Sequence, residues 1–209
     1  MAGEGAFITF EGGEGVGKST QINVLKASLE AGGRPVTATR EPGGSPAAEA
    51  VREIALARSA FGATAEALLM FAARRIHLDE TINPARAAGR TVLCDRFQDS
   101  TEAYQAIAGD LPRAVFEKIS SCVVSEDEKP SLTIILDMSF EASSERRRAR
   151  GSAADRFESR SPDFHRRVRD AFLEIAAREP ERCVVIDAYR GEEAVARAVR
   201  ALVADRLGL

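Results

Sequence analysis

The sequence predicts an α/β fold in which a five-stranded parallel sheet lies between two layers of helices, and three observations carry that prediction. Five short apolar runs read as strands: Ala6–Phe10, Val36–Thr39, Thr91–Asp95, Leu132–Asp137 and Cys183–Asp187. At least one stretch with the 3.6-residue apolar period of a helix separates each run from the next. The runs are nearly continuous in apolar character, as strands become when helices cover both faces of their sheet.

The first strand leads directly into Gly12-Gly13-Glu14-Gly15-Val16-Gly17-Lys18-Ser19, and the helical pattern Ile22, Leu25, Leu29 follows at once. This is G-x-x-x-x-G-K-[ST] in its strand-to-helix setting, the signature of a loop that wraps the phosphates of a nucleoside triphosphate. Glycines let backbone N–H groups close around an anion, and the helix opening at Lys18 adds the positive end of its dipole. Lys18 is expected at the β- and γ-phosphates, and the Ser19 hydroxyl on Mg²⁺. With this loop the predicted architecture becomes a P-loop NTPase-type three-layer sandwich.

The helices expected between and after the strands are Lys18–Ala31, Ala47–Ala57, Ala65–Ala88, Ser100–Ala108, Pro112–Ser125, Phe140–Arg150, Pro162–Arg178 and Glu192–Leu207. Gly32-Gly33 and Gly89 act as C-terminal stops. Ligands of open α/β sheets bind beyond the carboxyl ends of the strands. The residues to watch are therefore Gly12–Ser19, Arg40–Gly44, Asp95–Arg96, Met138–Ser139 and Ala188–Arg190.

At 209 residues the chain fits one domain, taken here as 1–209. The formal charge of −3, from 29 basic and 32 acidic residues, gives no basic arm for nucleic acid and no patch for a membrane surface. Small molecules are the expected partners. Met1–Ala6 has neither a basic start nor a long apolar stretch, and no apolar run reaches membrane-spanning length, so a soluble cytoplasmic protein is expected. Cys94, Cys122 and Cys183 lack metal or redox spacing and read as buried, reduced thiols. His77 and His165 sit on helical patterns without a partnered nucleophile, which favours structural roles.

Arg40-Glu41-Pro42-Gly43-Gly44 places an arginine and a carboxylate around a turn at the sheet edge that carries the phosphate loop. Asp95-Arg96 ends the third strand. Asp95 is suited to hold a metal through water and Arg96 to grip a second phosphate, although an ordinary surface ion pair has the same spacing.

Five blocks follow one another along the chain: Phe10-Glu11-Gly12 through Lys18-Ser19-Thr20, Thr39-Arg40-Glu41-Pro42-Gly43-Gly44, Ala65-Glu66 through Ala72-Ala73-Arg74, Asp95-Arg96-Phe97 with Ser100-Thr101-Glu102-Ala103-Tyr104-Gln105, and Arg146 through Arg150-Gly151 to Asp155-Arg156-Phe157-Glu158. Together they resemble the thymidylate kinase family in its bacterial form. The likeness runs from Phe7 to about Asp187. It implies phosphoryl transfer from MgATP to dTMP, giving ADP and dTDP, by a homodimer. Gly12, Gly13, Glu14, Gly15, Val16, Gly17, Lys18, Ser19, Thr20 and Arg146 would serve ATP, with Ser19 and Asp95 on Mg²⁺. Glu14 would accept a hydrogen bond from the 3′-hydroxyl, Arg96 would bind the acceptor phosphate, and Arg74 would read the thymine edge. Glu41, Pro42 and Ser100 would complete the dTMP site, with Thr101 or Gln105 on the base and Tyr104 where a 2′-hydroxyl would clash.

The stretch at about 146–158 resembles the family's lid, which carries the catalytic arginine in bacterial members. Arg150 and Arg156, flanking Gly151-Ser152-Ala153-Ala154, are the candidates, and Arg147 reads as part of a solvated helix face. Lys18, Glu14, Asp95 and Arg96 complete the expected catalytic set. Two departures from the pattern stand out. Met70 occupies the position, four residues before Arg74, where relatives place a stacking phenylalanine, so either Met70 covers the base or Phe71 with Arg75 does so in a shifted register. Ala106–Leu111 replaces a Gly-rich, Arg-containing loop. Another nucleoside monophosphate or deoxynucleoside kinase, and an inactive nucleotide-binding regulator, are the competing readings; a GTP switch lacks its N-K-x-D motif here.

Overall fold

Phe7–Glu11 forms β1, buried along its whole length. Its alternate side chains divide the core: Ile8 and Phe10 turn to one face of the sheet, and Phe7 to the other. A computed structural model describes residues 4–57, 61–150, 157 and 159–209, the side chain of Arg150 excepted. The other strands are β2 (Val36–Arg40), β3 (Thr91–Asp95), β4 (Leu132–Asp137) and β5 (Cys183–Asp187), all parallel in the order β2-β3-β1-β4-β5. The expected five-stranded sheet is present, with β1 one residue later at both ends than the apolar run indicates and β2 extended to Arg40.

On one face, α1 (Lys18–Ala31) and α9 (Glu192–Leu207) bury Ile22, Leu25, Leu29, Val195, Val199 and Val203 against Ile8, Phe10, Ile134 and Leu136. On the other, α8 (Pro162–Arg178) packs Val168, Phe172 and Ile175 on Ile135. Leu78 and Ile82 cover Phe7 and Val92. Both faces are thus sealed, as the apolar runs require.

The long helix expected over Ala65–Ala88 is divided. It is α3 (Ala63–His77), one π-helical turn (Leu78–Ile82) and α4 (Asn83–Ala87). The expected helix Ser100–Ala108 starts earlier, as α5 (Gln98–Thr101), and widens into a π-helical stretch over Glu102–Ile107. Such widening inserts one residue per turn, and here it carries Tyr104 and Gln105. The remaining helices are α2 (Pro46–Leu56), α6 (Arg113–Val123) and α7 (Phe140–Arg150). Ser45 accepts from the Ala48 N–H with Pro46 next in line, and Ser161 with Pro162 begins α8 in the same way.

A buried polar seam fixes α5 against the sheet. Thr9 and Thr133 share a 2.8 Å hydroxyl contact, and Arg182 donates to Thr133 at 2.6 Å and to Asp99 at 2.7 and 2.9 Å. Among the described residues no helix is long and apolar enough to cross a membrane. The three cysteines are free; Cys94 and Cys183 are buried as expected, but Cys122 is exposed because it falls on the outer side of α6.

Candidate active site

A cavity of about 560 Å³ opens beyond the carboxyl ends of β1, β2 and β3. The phosphate loop forms one wall of it. Gly12 takes φ 124°, and a Cβ there would sit 2.4 Å from the Leu136 carbonyl, so only glycine lets the loop leave β1 against β4. Lys18 is buried and folds back over the loop, its Nζ donating to the carbonyls of Gly12 (3.2 Å) and Gly13 (2.9 Å). Burial lowers its pKa, Arg96 adds to that, and the carboxylates of Asp95, Glu14 and Glu11 oppose it.

The Ser19 hydroxyl donates to Asp95 at 2.8 Å. The two residues approach because β3 lies beside β1, although 76 positions separate them in the chain. Thr20 follows on α1, and Val16 turns into the core.

Arg96 is the only non-glycine residue with positive φ, 72°, among the described residues. Such a conformation costs on the order of 1–3 kcal/mol and is kept where neighbours over-determine it. They do so here. The Arg96 N–H donates to the Phe10 carbonyl at 2.9 Å, and the Cys94 thiol donates to the Arg96 carbonyl at 3.0 Å. Glu11 accepts from the Phe97 N–H at 2.7 Å and from the Ser100 hydroxyl at 2.5 Å. The guanidinium then reaches across the cleft to Gly12 O (3.0 Å), Ser100 Oγ (2.9 Å), Glu14 (2.5 Å) and Tyr104 Oη (3.2 Å).

These groups perturb one another strongly. Burial would raise the Glu14 carboxyl, but Arg96 and then Lys18 outweigh it and hold Glu14 at about 2. Glu11 has no such surplus of cations: burial, followed by the nearby Asp99, pushes it up to about 8. The Tyr104 phenol is pushed up by burial. Rings of Phe157, Phe164 and Phe172 meet Tyr104 edge-on at 5.8, 6.1 and 6.3 Å, and its hydroxyl donates to Glu14 at 3.1 Å.

At the far end of the cleft, Glu41 accepts from Arg74 Nε at 2.8 Å and from His77 Nδ1 at 3.0 Å, and both side chains are buried. His77 Nε2 meets the Thr39 hydroxyl at 2.7 Å. A carboxylate only accepts, so Nδ1 donates to Glu41, and the Thr39 hydroxyl can serve Nε2 as either donor or acceptor. Arg74 Nη2 donates to Phe97 O and Thr101 Oγ1, both at 3.0 Å, while its Nη1 is buried with no hydrogen-bond partner. Pro42 and Met70 line the cavity beside it.

The thymidylate kinase family model matches residues 10–199 of this sequence. The chain belongs to the thymidylate kinase family. It is 51% identical to the thymidylate kinase of Caulobacter vibrioides over 208 residues, covering 99% of both chains. It is 50% identical to that of Rhodopseudomonas palustris, covering 99% of this chain and 91% of the relative. The crystal structure of thymidylate kinase from Ehrlichia chaffeensis superposes with a TM-score of 0.77 at 32% identity, over 96% of this chain and 98% of the other.

Most residues that the family likeness singles out converge on the one cavity: Glu14, Gly15, Gly17, Lys18, Ser19, Glu41, Pro42, Met70, Arg74, Asp95, Arg96, Ser100, Thr101, Tyr104 and Gln105 all line it. Of the two registers left open on α3, Met70 with Arg74 faces the cleft. Phe71 is in the core, 5.8 Å from Phe116 and beneath the Arg74 guanidinium at 4.8 Å, and Arg75 pairs with Asp79 and Glu128. Arg146 donates to the Ala188 carbonyl at 3.3 Å, beyond β5. The Arg150 side chain and Arg156 lie outside the described residues, as does most of the expected lid.

One reading of the sequence is corrected. Arg147 is not on a solvated face. It lines the cavity, and its Cγ lies where a Cβ on Gly15 would come within 2.6 Å, so α7 rests directly on the phosphate loop. Its Nε is buried without a hydrogen-bond partner, and its charge helps to lower Glu14. Three arginines in succession hide this, because helix periodicity alone does not say which of Arg146, Arg147 and Arg148 faces a loop some 130 residues away. His77, read as structural, proves to be the buried link between Thr39 and Glu41. Thr39 in the strand and Glu41 just after it gave the only hint of that link.

Proposed function

We propose that this cleft transfers the γ-phosphoryl group of ATP to the 5′-phosphate of dTMP, giving ADP and dTDP. A terminal phosphate oxygen of dTMP forms the new bond to the γ-phosphorus as the bond to the β,γ-bridging oxygen breaks and ADP departs. The observation that carries the reading is the convergence of Lys18 and Arg96 on one cavity, where both donate to the Gly12 carbonyl and Arg96 also donates to Glu14. This reaction needs two anions held in line and their charge neutralised more than it needs covalent chemistry.

In this reading the loop N–H groups and Lys18 hold the ATP phosphates, with Arg146 near the adenine. Arg96 releases Glu14 to take the acceptor phosphate, and Glu14 is left to accept from the 3′-hydroxyl. The Ser19 hydroxyl beside the Asp95 carboxylate suits Mg²⁺, which takes oxygen ligands and keeps several waters while bound to substrate phosphates. Ser19 and Asp95 would hold the ion, which would supply positive charge to neutralise the phosphates. Tyr104, held rigidly by three rings, stands as the barrier to a 2′-hydroxyl. We assign the lid arginines Arg150 and Arg156 to the transferring phosphoryl group and add Arg147, which lines the cavity, to the candidates. A single domain over 1–209, a cytoplasmic location and a homodimer complete the proposal; exposed Ile54 on α2 and Leu68 on α3 support the last.

Phosphorus NMR of ATP with dTMP tests the reading. Wild-type protein should convert both into ADP and dTDP when Mg²⁺ is present, and Lys18→Ala should be slower by ~10²-fold or more with its fold intact, as loss of one preorganised donor typically costs. Hydrolysis of ATP without any dTDP would contradict it.

A further inference from the structure

Glu66 lies outside the cavity, yet it decides how one cavity residue is turned. Gln105 Nε2 donates to Glu66 Oε1 at 2.7 Å. An ionised carboxylate only accepts, so the Gln105 amide must present its nitrogen to Glu66 and keep its oxygen for a ligand. Gln105 is buried and lines the cleft beside Thr101, the residue to which Arg74 Nη2 donates. Arg74 is fixed in the opposite sense. Its Nε and Nη2 are committed to Glu41, Phe97 and Thr101, leaving the buried Nη1 as a donor that waits for an acceptor.

The two side chains, both lining one cavity, therefore offer it a donor and an acceptor. The complement is a ring edge with a carbonyl oxygen beside an N–H, the imide edge of a 4-oxopyrimidine. A 4-aminopyrimidine presents the reverse pattern, an amino donor beside a bare ring nitrogen, and leaves two buried groups unpaired. Glu66, Met70 and Arg74 follow one another at four-residue spacing along α3, so one helix face carries the group that orients Gln105, the apolar contact and the fixed donor.

We propose that Glu66 is a positioning residue for base selection, acting through Gln105 to set the hydrogen-bond polarity of the pocket against 4-amino bases. The proposal rests on dTMP occupying this cleft. Without the carboxylate, Gln105 can turn its amide over and satisfy either edge.

The test is kcat/KM for dTMP and dCMP with wild type, Glu66→Gln and Glu66→Ala, with thermal melts to confirm folding. In both variants the dTMP:dCMP ratio should fall by about tenfold or more, the scale of one misdirected buried hydrogen bond. The change should lie in KM, with kcat for dTMP altered by no more than a few-fold. A Glu66 that merely supports the fold would lower kcat/KM for both nucleotides alike, and a ratio unchanged in both folded variants overturns the proposal. Wild-type protein that ignores dTMP would instead overturn the assignment of the cleft, so the two failures are distinct.

Discussion

Arg96 Nη2 donates to the Glu14 carboxylate at 2.5 Å, tying the end of β3 to the tip of the phosphate loop across the mouth of the cleft. Both partners are mostly buried, and each satisfies the other's charge.

A pH dependence follows from this pair. Glu14 is held at about 2, below the ordinary value of 4.5, so the folded state favours its charged form. Its contribution to stability is fully present above the unfolded value and is lost as pH falls from about 4.5 through about 2. Urea unfolding midpoints measured between pH 6 and pH 3 should therefore decline more steeply for wild type than for Glu14→Gln. Parallel declines would mean that the pair adds nothing to stability.

The lid prediction turns on which arginine supplies the charge. Arg147 rests on Gly15 with its Nε unpartnered, and removing it exposes the loop and withdraws a cation from the phosphates. Arg147→Ala should lower kcat/KM for ATP by about tenfold or more, the worth of one charged hydrogen bond. Arg150→Ala and Arg156→Ala, compared at saturating MgATP, should lower kcat more than they raise KM if those residues act mainly in the transition state. An Arg147→Ala enzyme within about twofold of wild type would return that residue to the surface role its sequence setting suggests.

What the sequence disclosed followed physical range. The five strands and the phosphate loop were legible because they depend on local pattern: apolar runs, glycine spacing and the helix that starts at Lys18. The cavity residues after β1, β2 and β3 were legible because parallel sheets put their ligands there, whereas Met138 and Ala188, after β4 and β5, pack into the core instead. The pairing of Ser19 with Asp95 needed only the adjacency of β1 and β3. By contrast, the π-helical turns at Leu78–Ile82 and Glu102–Ile107 depend on packing that no propensity encodes. Asp137, at the end of β4, forms a two-point ion pair with Arg169 at 2.7 and 2.8 Å, a tertiary contact between β4 and α8 that no local pattern encodes. The orientations of Arg147 and Gln105 were equally out of reach, since each is fixed by a partner on another element.

The most direct measurement is a coupled ADP-release assay with MgATP across dTMP, dUMP, UMP, CMP, GMP and AMP. The pocket predicts dTMP as the best acceptor. It predicts dUMP behind by no more than the ~1–3 kcal/mol that one methyl contributes in an apolar site. UMP should be far worse, because the ring of Tyr104 is clamped by Phe157, Phe164 and Phe172 and cannot yield to a 2′-hydroxyl. Equal turnover of UMP and dTMP would contradict the role of Tyr104, and turnover of AMP alone would contradict dTMP as the nucleotide this cleft is built to phosphorylate.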